Sequence, residues 1–355
     1  MKRMSLKKAK YIAALGLCLA LSGCRNTDEV SETKLGLDCV VSQDYQGAIN
    51  HLEQALISGE DSEEVYRAKG LAYMGSKDYA KAISSFKTAL SYAGMIPGEL
   101  EYDINYYLAV CYYKIGDYKA AISVYDGIIG MKPKDKDAYF LRGTMELYTD
   151  NADAAVADFD KAVSLKKNDY GMYIDIYACM KEKGYEEQAE KYLDVVMAVN
   201  INDVGDYDKG RLCYYQGNYE QGCNYLERAR EAEPANIDAV NMLSECYRET
   251  GQYAYAAVVY STYLSTTPNP EVYNRLGLCY IEQGDYTSAL SAFQSGIQIK
   301  ENNTCLQTLL LNEIACYEYM LDFKTAKEKL GQYMDIYPSD EVIKKEYAFL
   351  TTRQS

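Results

Sequence analysis

The chain has 355 residues, of which 48% are hydrophobic and 25% charged, and a formal net charge of −15. That balance fits a folded body with a sizeable core, and 24 Gly with 6 Pro argue against bulk disorder. An acidic surface is repelled by phosphate backbones, which sets nucleic acid aside as a partner.

Residues 1–10, MKRMSLKKAK, hold Lys2, Arg3, Lys7, Lys8 and Lys10 and no acid. The next 11 residues, YIAALGLCLAL, are uncharged and apolar. Such a run is too short to span a bilayer and suits the core of a signal peptide. It ends in Leu21-Ser22-Gly23-Cys24, which resembles the bacterial lipobox. The resemblance implies cleavage between Gly23 and Cys24, lipidation of Cys24, and an extracytoplasmic protein held to the membrane by its N-terminal lipid. The expected layout is a signal peptide over 1–23, then the lipidated Cys and a polar tether over 24–34. Removal of residues 1–23 takes away five cationic side chains and lowers the net charge from −15 to −20. Membrane attachment then rests on acyl chains and not on a basic patch.

From residue 29 onward one sentence is written again and again. Leu108–Tyr125 reads LAVCYYKIGDYKAAISVY and Leu276–Phe293 reads LGLCYIEQGDYTSALSAF. Aligned on the residue after the leucine, the copies fall at Gly36, Gly70, Ala109, Gly143, Tyr177, Gly210, Ser244, Gly277 and Ile314, mostly 33 or 34 residues apart. Twelve residues later stands Ala48, Ala82, Ala121, Ala155, Ala189, Gly222, Ala256, Ala289 or Ala326. Four residues further comes a bulky group such as Leu52, Phe86, Tyr125, Phe159 or Phe293. From Tyr286 to Phe293 the apolar sites recur at i, i+3, i+4 and i+7, one face of an α-helix. Gly277 and Ala289 let two antiparallel helices approach closely, while Gly284-Asp285 ends one helix and caps the next.

This pattern resembles the tetratricopeptide repeat, a helix–turn–helix unit of about 34 residues. The resemblance implies an all-α, right-handed superhelical solenoid of about nine repeats over residues 29–338. Residues 339–355 are expected to add a capping helix and tail, with Ser339 and Asp340 as caps and Ile343, Tyr347 and Leu350 as its apolar stripe. The chain departs from the family pattern in having no Trp; Tyr66, Tyr139 and Tyr273 stand where it is usual. Tyr177 and Ile314 also fill a site that is normally small.

Cys111, Cys179, Cys246, Cys279 and Cys316 sit two residues after the marker in five copies. They read as small core residues, because equivalent sites on neighbouring repeats are too far apart to bridge. With no CxxC pair and a single histidine, His51, neither a metal, a cofactor nor a catalytic triad is expected. His51 reads as an exposed helix residue, and the chain as a non-enzyme.

If the resemblance holds, the first helix of each repeat lines a concave face. There the candidate binding residues are Tyr106, Tyr113, Phe140, Tyr148, Tyr207, Tyr214 and Tyr215, aromatics the repeat does not require. Glu245 and Glu249, with Glu271 and Glu282, face the same side and are opposed by Arg248. The Lys/Asn/Arg arrangement with which some family members clamp a C-terminal carboxylate is not evident: Arg67 begins it, but Leu71 follows. The expected partner is a protein or peptide at the bacterial envelope, bound by a lipid-anchored scaffold. The alternative, a glycan- or solute-capturing lipoprotein, lacks the long inserted loops and Trp platforms usual in such proteins.

Overall fold

The computed structural model describes residues 31–94, 97–299 and 303–352. The signal segment, Gly23, Cys24 and the tether up to residue 30 lie outside the described residues. Among those described, the structure is all-helical. It divides into two compact units, one ending at Ala198 and the other beginning at Val199. The first holds α1 (Glu32–Val41), α2 (Tyr45–Ser58), α3 (Ser62–Gly75), α4 (Tyr79–Ser91), α5 (Glu99–Ile115), α6 (Tyr118–Met131), α7 (Lys136–Tyr148), α8 (Ala152–Leu165), α9 (Tyr170–Glu182) and α10 (Glu186–Ala198). The second opens with a 3-10 turn (Ile201–Asp203) and continues with α11 (Asp206–Tyr215), α12 (Tyr219–Ala232), α13 (Ile237–Glu249), α14 (Tyr253–Leu264), α15 (Pro270–Gln283), α16 (Tyr286–Gln298), α17 (Leu306–Tyr319), α18 (Phe323–Ile336) and α19 (Glu341–Thr352). Odd and even helices pair in turn, giving five pairs in the first unit and four pairs plus α19 in the second. Consecutive helices pack on each other within each unit, the arrangement of a solenoid.

The repeated sentence maps onto one contact. The eight alanines that stand twelve residues after a marker are all fully buried. A Cβ built on Gly70 would meet Phe86 Cε1 at 2.4 Å, and one on Gly277 would meet Phe293 Cε1 at 2.3 Å. The marker glycine and the bulky residue sixteen positions later therefore fill one volume between them. Where the marker is larger the pair adjusts. The Tyr177 ring is buried and turns its hydroxyl out to donate to Glu186 Oε1 at 3.1 Å. Ile314 has no such exit, and α17 and α18 approach each other least closely of the nine pairs.

Each pair turns through one residue of positive φ: Gln43, Lys77, Gly116, Asp150, Gly184, Gly217, Gly251, Gly284 and Leu321. The residue after it caps the next helix in five cases with an aspartate side chain, as Asp285 accepts from Ser288 N at 3.0 Å.

Helix α1 begins at Glu32, where residues 24–34, read as tether, overlap residues 29–338, read as the repeat array. Ser31 is its N-cap, accepting from Lys34 N at 3.2 Å. Glu60, at the end of the first pair, accepts from Glu32 N and Thr33 N at 2.8 and 3.1 Å and from the Thr33 hydroxyl at 2.6 Å. Those bonds satisfy orphan donors of the first turn. At the other end Asp340 caps α19 through Ile343 N, while Ile343 and Tyr347 pack on the cluster of Ile314, Ala326, Leu330 and Tyr333.

Candidate functional site

In the first unit α5 places Tyr106 and Tyr113 two turns apart, and α7 does the same for Phe140 and Tyr148. Tyr106 and Phe140 are only 6% and 4% exposed, which removes them from any surface a ligand could reach. The Tyr106 hydroxyl donates to Asp135 Oδ2 at 2.8 Å, and its ring packs edge-on to Tyr102 and Tyr125. Phe140 packs against Phe159 at 5.9 Å. Tyr113 and Tyr148 stay half-buried and share a cluster with Tyr118. Tyr118 stacks on Tyr148 at 4.6 Å, Tyr113 meets Tyr148 edge-on at 5.5 Å, and the two hydroxyls lie 3.3 Å apart. Burial pushes both phenols above their ordinary pKa.

Sequence reasoning missed the cation of this cluster. Lys183 Nζ lies 3.3 Å from the Tyr148 ring centroid, a cation–π contact. Its place next to the turn glycine Gly184 is the signal that could have found it. Lys181 bonds Glu186 at 2.5 Å and the Tyr177 hydroxyl at 3.4 Å. Arg67 is paired with Asp103.

In the second unit α11 carries Tyr207, Tyr214 and Tyr215, and α13 carries Glu245 and Glu249. Tyr207 packs near the Arg211 guanidinium, 5.4 Å from the ring centroid. Tyr214 is edge-on to both Tyr215 and Tyr219, at 5.4 and 5.5 Å. Its phenol is held above the ordinary range by burial first, and then by the negative charge of Glu245 and Glu249. The structure thus brings one aromatic platform and two carboxylates of the sequence reading together.

The acidic stretch is less acidic than its spelling. Glu245 pairs with Arg248 at 2.9 Å and with Arg275 at 3.6 Å, and Arg248 reaches Glu282 at 3.8 Å. Glu249 is exposed and has no ion pair among the described residues. Three carboxylates, Glu245, Glu249 and Glu282, against two guanidiniums still leave the surface negative. It can take a cationic side chain against Tyr214 and Glu249.

His51 Nδ1 lies 2.7 Å from Glu32 Oε2, a contact that ties α2 to α1. Among the described residues no three His, Cys, Asp or Glu side chains are grouped to hold a metal ion. Nor is any helix among them long and apolar enough to cross a membrane.

A TPR repeat-containing protein of Methanocaldococcus jannaschii is 24% identical over 247 residues, 64% of this chain and 41% of that protein. The chain therefore spans about two fifths of the length of that curated relative. Among solved structures, a tetratricopeptide repeat protein from Parabacteroides merdae aligns over 80% of this chain and 99% of its own, at 17% identity and a TM-score of 0.47. Yeast Tom70 aligns over 91% and 81%, at 15% identity and a TM-score of 0.49. Family models described as tetratricopeptide repeat match residues 33–94, 67–136 and 112–170, residues 214–279, and residues 270–303. These segments cover well over half of the chain, which, with nine helix pairs among the described residues, belongs to the tetratricopeptide repeat family.

Proposed function

We propose that the chain is a non-catalytic scaffold, anchored by a lipid on Cys24, that holds peptide segments of partner proteins at a bacterial cell envelope. The anchor rests on the basic, apolar and lipobox-like segments of residues 1–24. The peptide reading rests on the repeat family and on one observation above others, the convergence of Tyr214, Tyr215, Glu245 and Glu249 in the second unit. Tyrosines supply broad contact area at low entropic cost, and the unpaired Glu249 selects for a positive charge. The partner segment is accordingly basic, with a Lys or Arg side chain laid over Tyr214 toward Glu249.

The test replaces Tyr215 with a photo-crosslinking phenylalanine in cells and identifies the adducts by mass spectrometry. Adducts with Lys- or Arg-containing peptides of envelope proteins are expected, and Glu249→Lys should abolish them. Adducts confined to polysaccharide, or none above the level at an outward-facing control site, would refute the peptide reading. The anchor is tested separately: Cys24→Ala should move the chain from the membrane fraction to the soluble fraction.

A further inference from the structure

The peptide surface proposed above is built on the first helices α11 and α13. A separate concavity lies further along the second unit, lined by the second helices α16 and α18 and the first helix α17. It is a cleft of about 350 Å³, at the small end of the range for small-molecule sites, roughly 300–1,000 Å³. Glu313 of α17 lines it and is only 3% exposed. Its Oε1 accepts from Gln294 Nε2 at 2.9 Å and pairs with Lys329 Nζ at 2.8 Å. Oε2 has no partner among the described residues and is not sealed from solvent, so it opens to the cleft. A carboxylate oxygen held in the interior without a donor is costly, and a donor brought by a ligand relieves that cost. Lys329, half-buried on α18, makes this one ion pair, and its remaining N–H groups are open to an incoming acceptor. Four aliphatic side chains, Ile297, Leu310, Ile314 and Ile336, line the same cleft.

We propose that this cleft binds a free α-amino acid with a branched aliphatic side chain, such as leucine. The ligand ammonium donates to Glu313 Oε2, its carboxylate accepts from Lys329 Nζ, and its side chain rests on the four aliphatic groups.

Charge balance selects this class. Glu313 and Lys329 already neutralise each other. A simple cation would bring an unbalanced charge beside Lys329, and a simple anion would do so beside Glu313. A zwitterion adds one charge of each sign and leaves the sum at zero. A purely apolar molecule would leave Oε2 without a donor. A sugar needs an aromatic face to stack on. The one aromatic residue of the lining, Tyr333, is 1% exposed and holds its hydroxyl between Gln307 and Asp340. The volume suits one amino acid and not a longer peptide. The site stands or falls without the peptide reading, because it shares no residue with it.

The test titrates the folded full chain with L-leucine in a calorimeter. Saturable binding at one site per chain is expected. Isocaproate lacks the ammonium, leucinamide lacks the carboxylate and glycine lacks the side chain; each should bind roughly tenfold more weakly, or worse. These ligands leave the protein untouched, so the comparison holds whatever a substitution does to the fold. Ile336→Ser, at a position 56% exposed, should keep the thermal midpoint and weaken leucine binding several-fold. Glu313→Gln, which keeps the side-chain shape and removes the charge, should weaken it by about tenfold. No saturable heat with L-leucine, equal binding of glycine or leucinamide, or unchanged binding in both variants would each overturn the proposal.

Discussion

The eighth and ninth helix pairs are neighbours in the second unit and solve the same packing problem in opposite ways. In the eighth, Gly277 gives its volume to the Phe293 ring, and α15 and α16 close tightly. In the ninth, Ile314 faces the buried Leu330, and α17 and α18 stand further apart. The cleft of about 350 Å³ lies beside that second contact, with Ile297, Leu310, Ile314 and Ile336 against the 2.8 Å ion pair of buried Glu313 with half-buried Lys329. The lesson is that volume is shared across the pair: the Phe293 ring fills the space that Gly277 leaves opposite it.

The comparison is broken most severely by Phe293→Ala, which empties the core of the tight pair and should cost about 4 kcal/mol by chemical denaturation. Gly277→Leu should cost about 3 kcal/mol, because the added side chain enters space the ring already holds. Joined with Phe293→Ala it should cost clearly less than the two single losses together, and simple additivity would show that the two residues do not share a volume. Ile314→Leu, the corresponding change in the wide pair, should cost less than about 1.5 kcal/mol.

The turns sharpen the same contrast. Gly284 adopts φ +75° without a side chain, whereas Leu321 holds φ +61° with one and is 74% exposed. Leu321→Gly should therefore raise stability by about 1 kcal/mol, read as an upward shift of the thermal midpoint. The smallest effect is common to both pairs. Asp285 and Asp322 are held below the ordinary carboxylate pKa, each first by the side-chain hydrogen bond of the residue it caps, Ser288 or Thr325. A depressed folded pKa means that the capping contribution is complete above pH 3.8 and is lost as pH falls through the folded value. Asp285→Asn should keep the cap and blunt that acid sensitivity in a pH series of thermal melts.

Much of this was legible because the repeat writes it nine times. Period, small marker, buried alanine and bulky residue sixteen positions on appear in the sequence as they do in the helix pairs. So does the turn at Gly284-Asp285. Leu321 was not legible as a turn residue, since leucine has no local preference for positive φ; only its position in the period betrays it. Tyr106 is held in part by Asp135 at the start of the next pair, which a pattern within one repeat does not encode, whereas Phe140 packs on Phe159 of its own pair. The charges of Glu245 and Glu249 spelled an acidic patch, but Arg275, a full repeat later, takes part of it away.

The ammonium of Lys183 over the ring of Tyr148 has a consequence for the first unit. That ring face has a resident occupant, tethered by its own backbone and so present at high effective concentration. Any incoming cation must evict it first, and reaches the tyrosine cluster only as the winner of a competition with the protein itself.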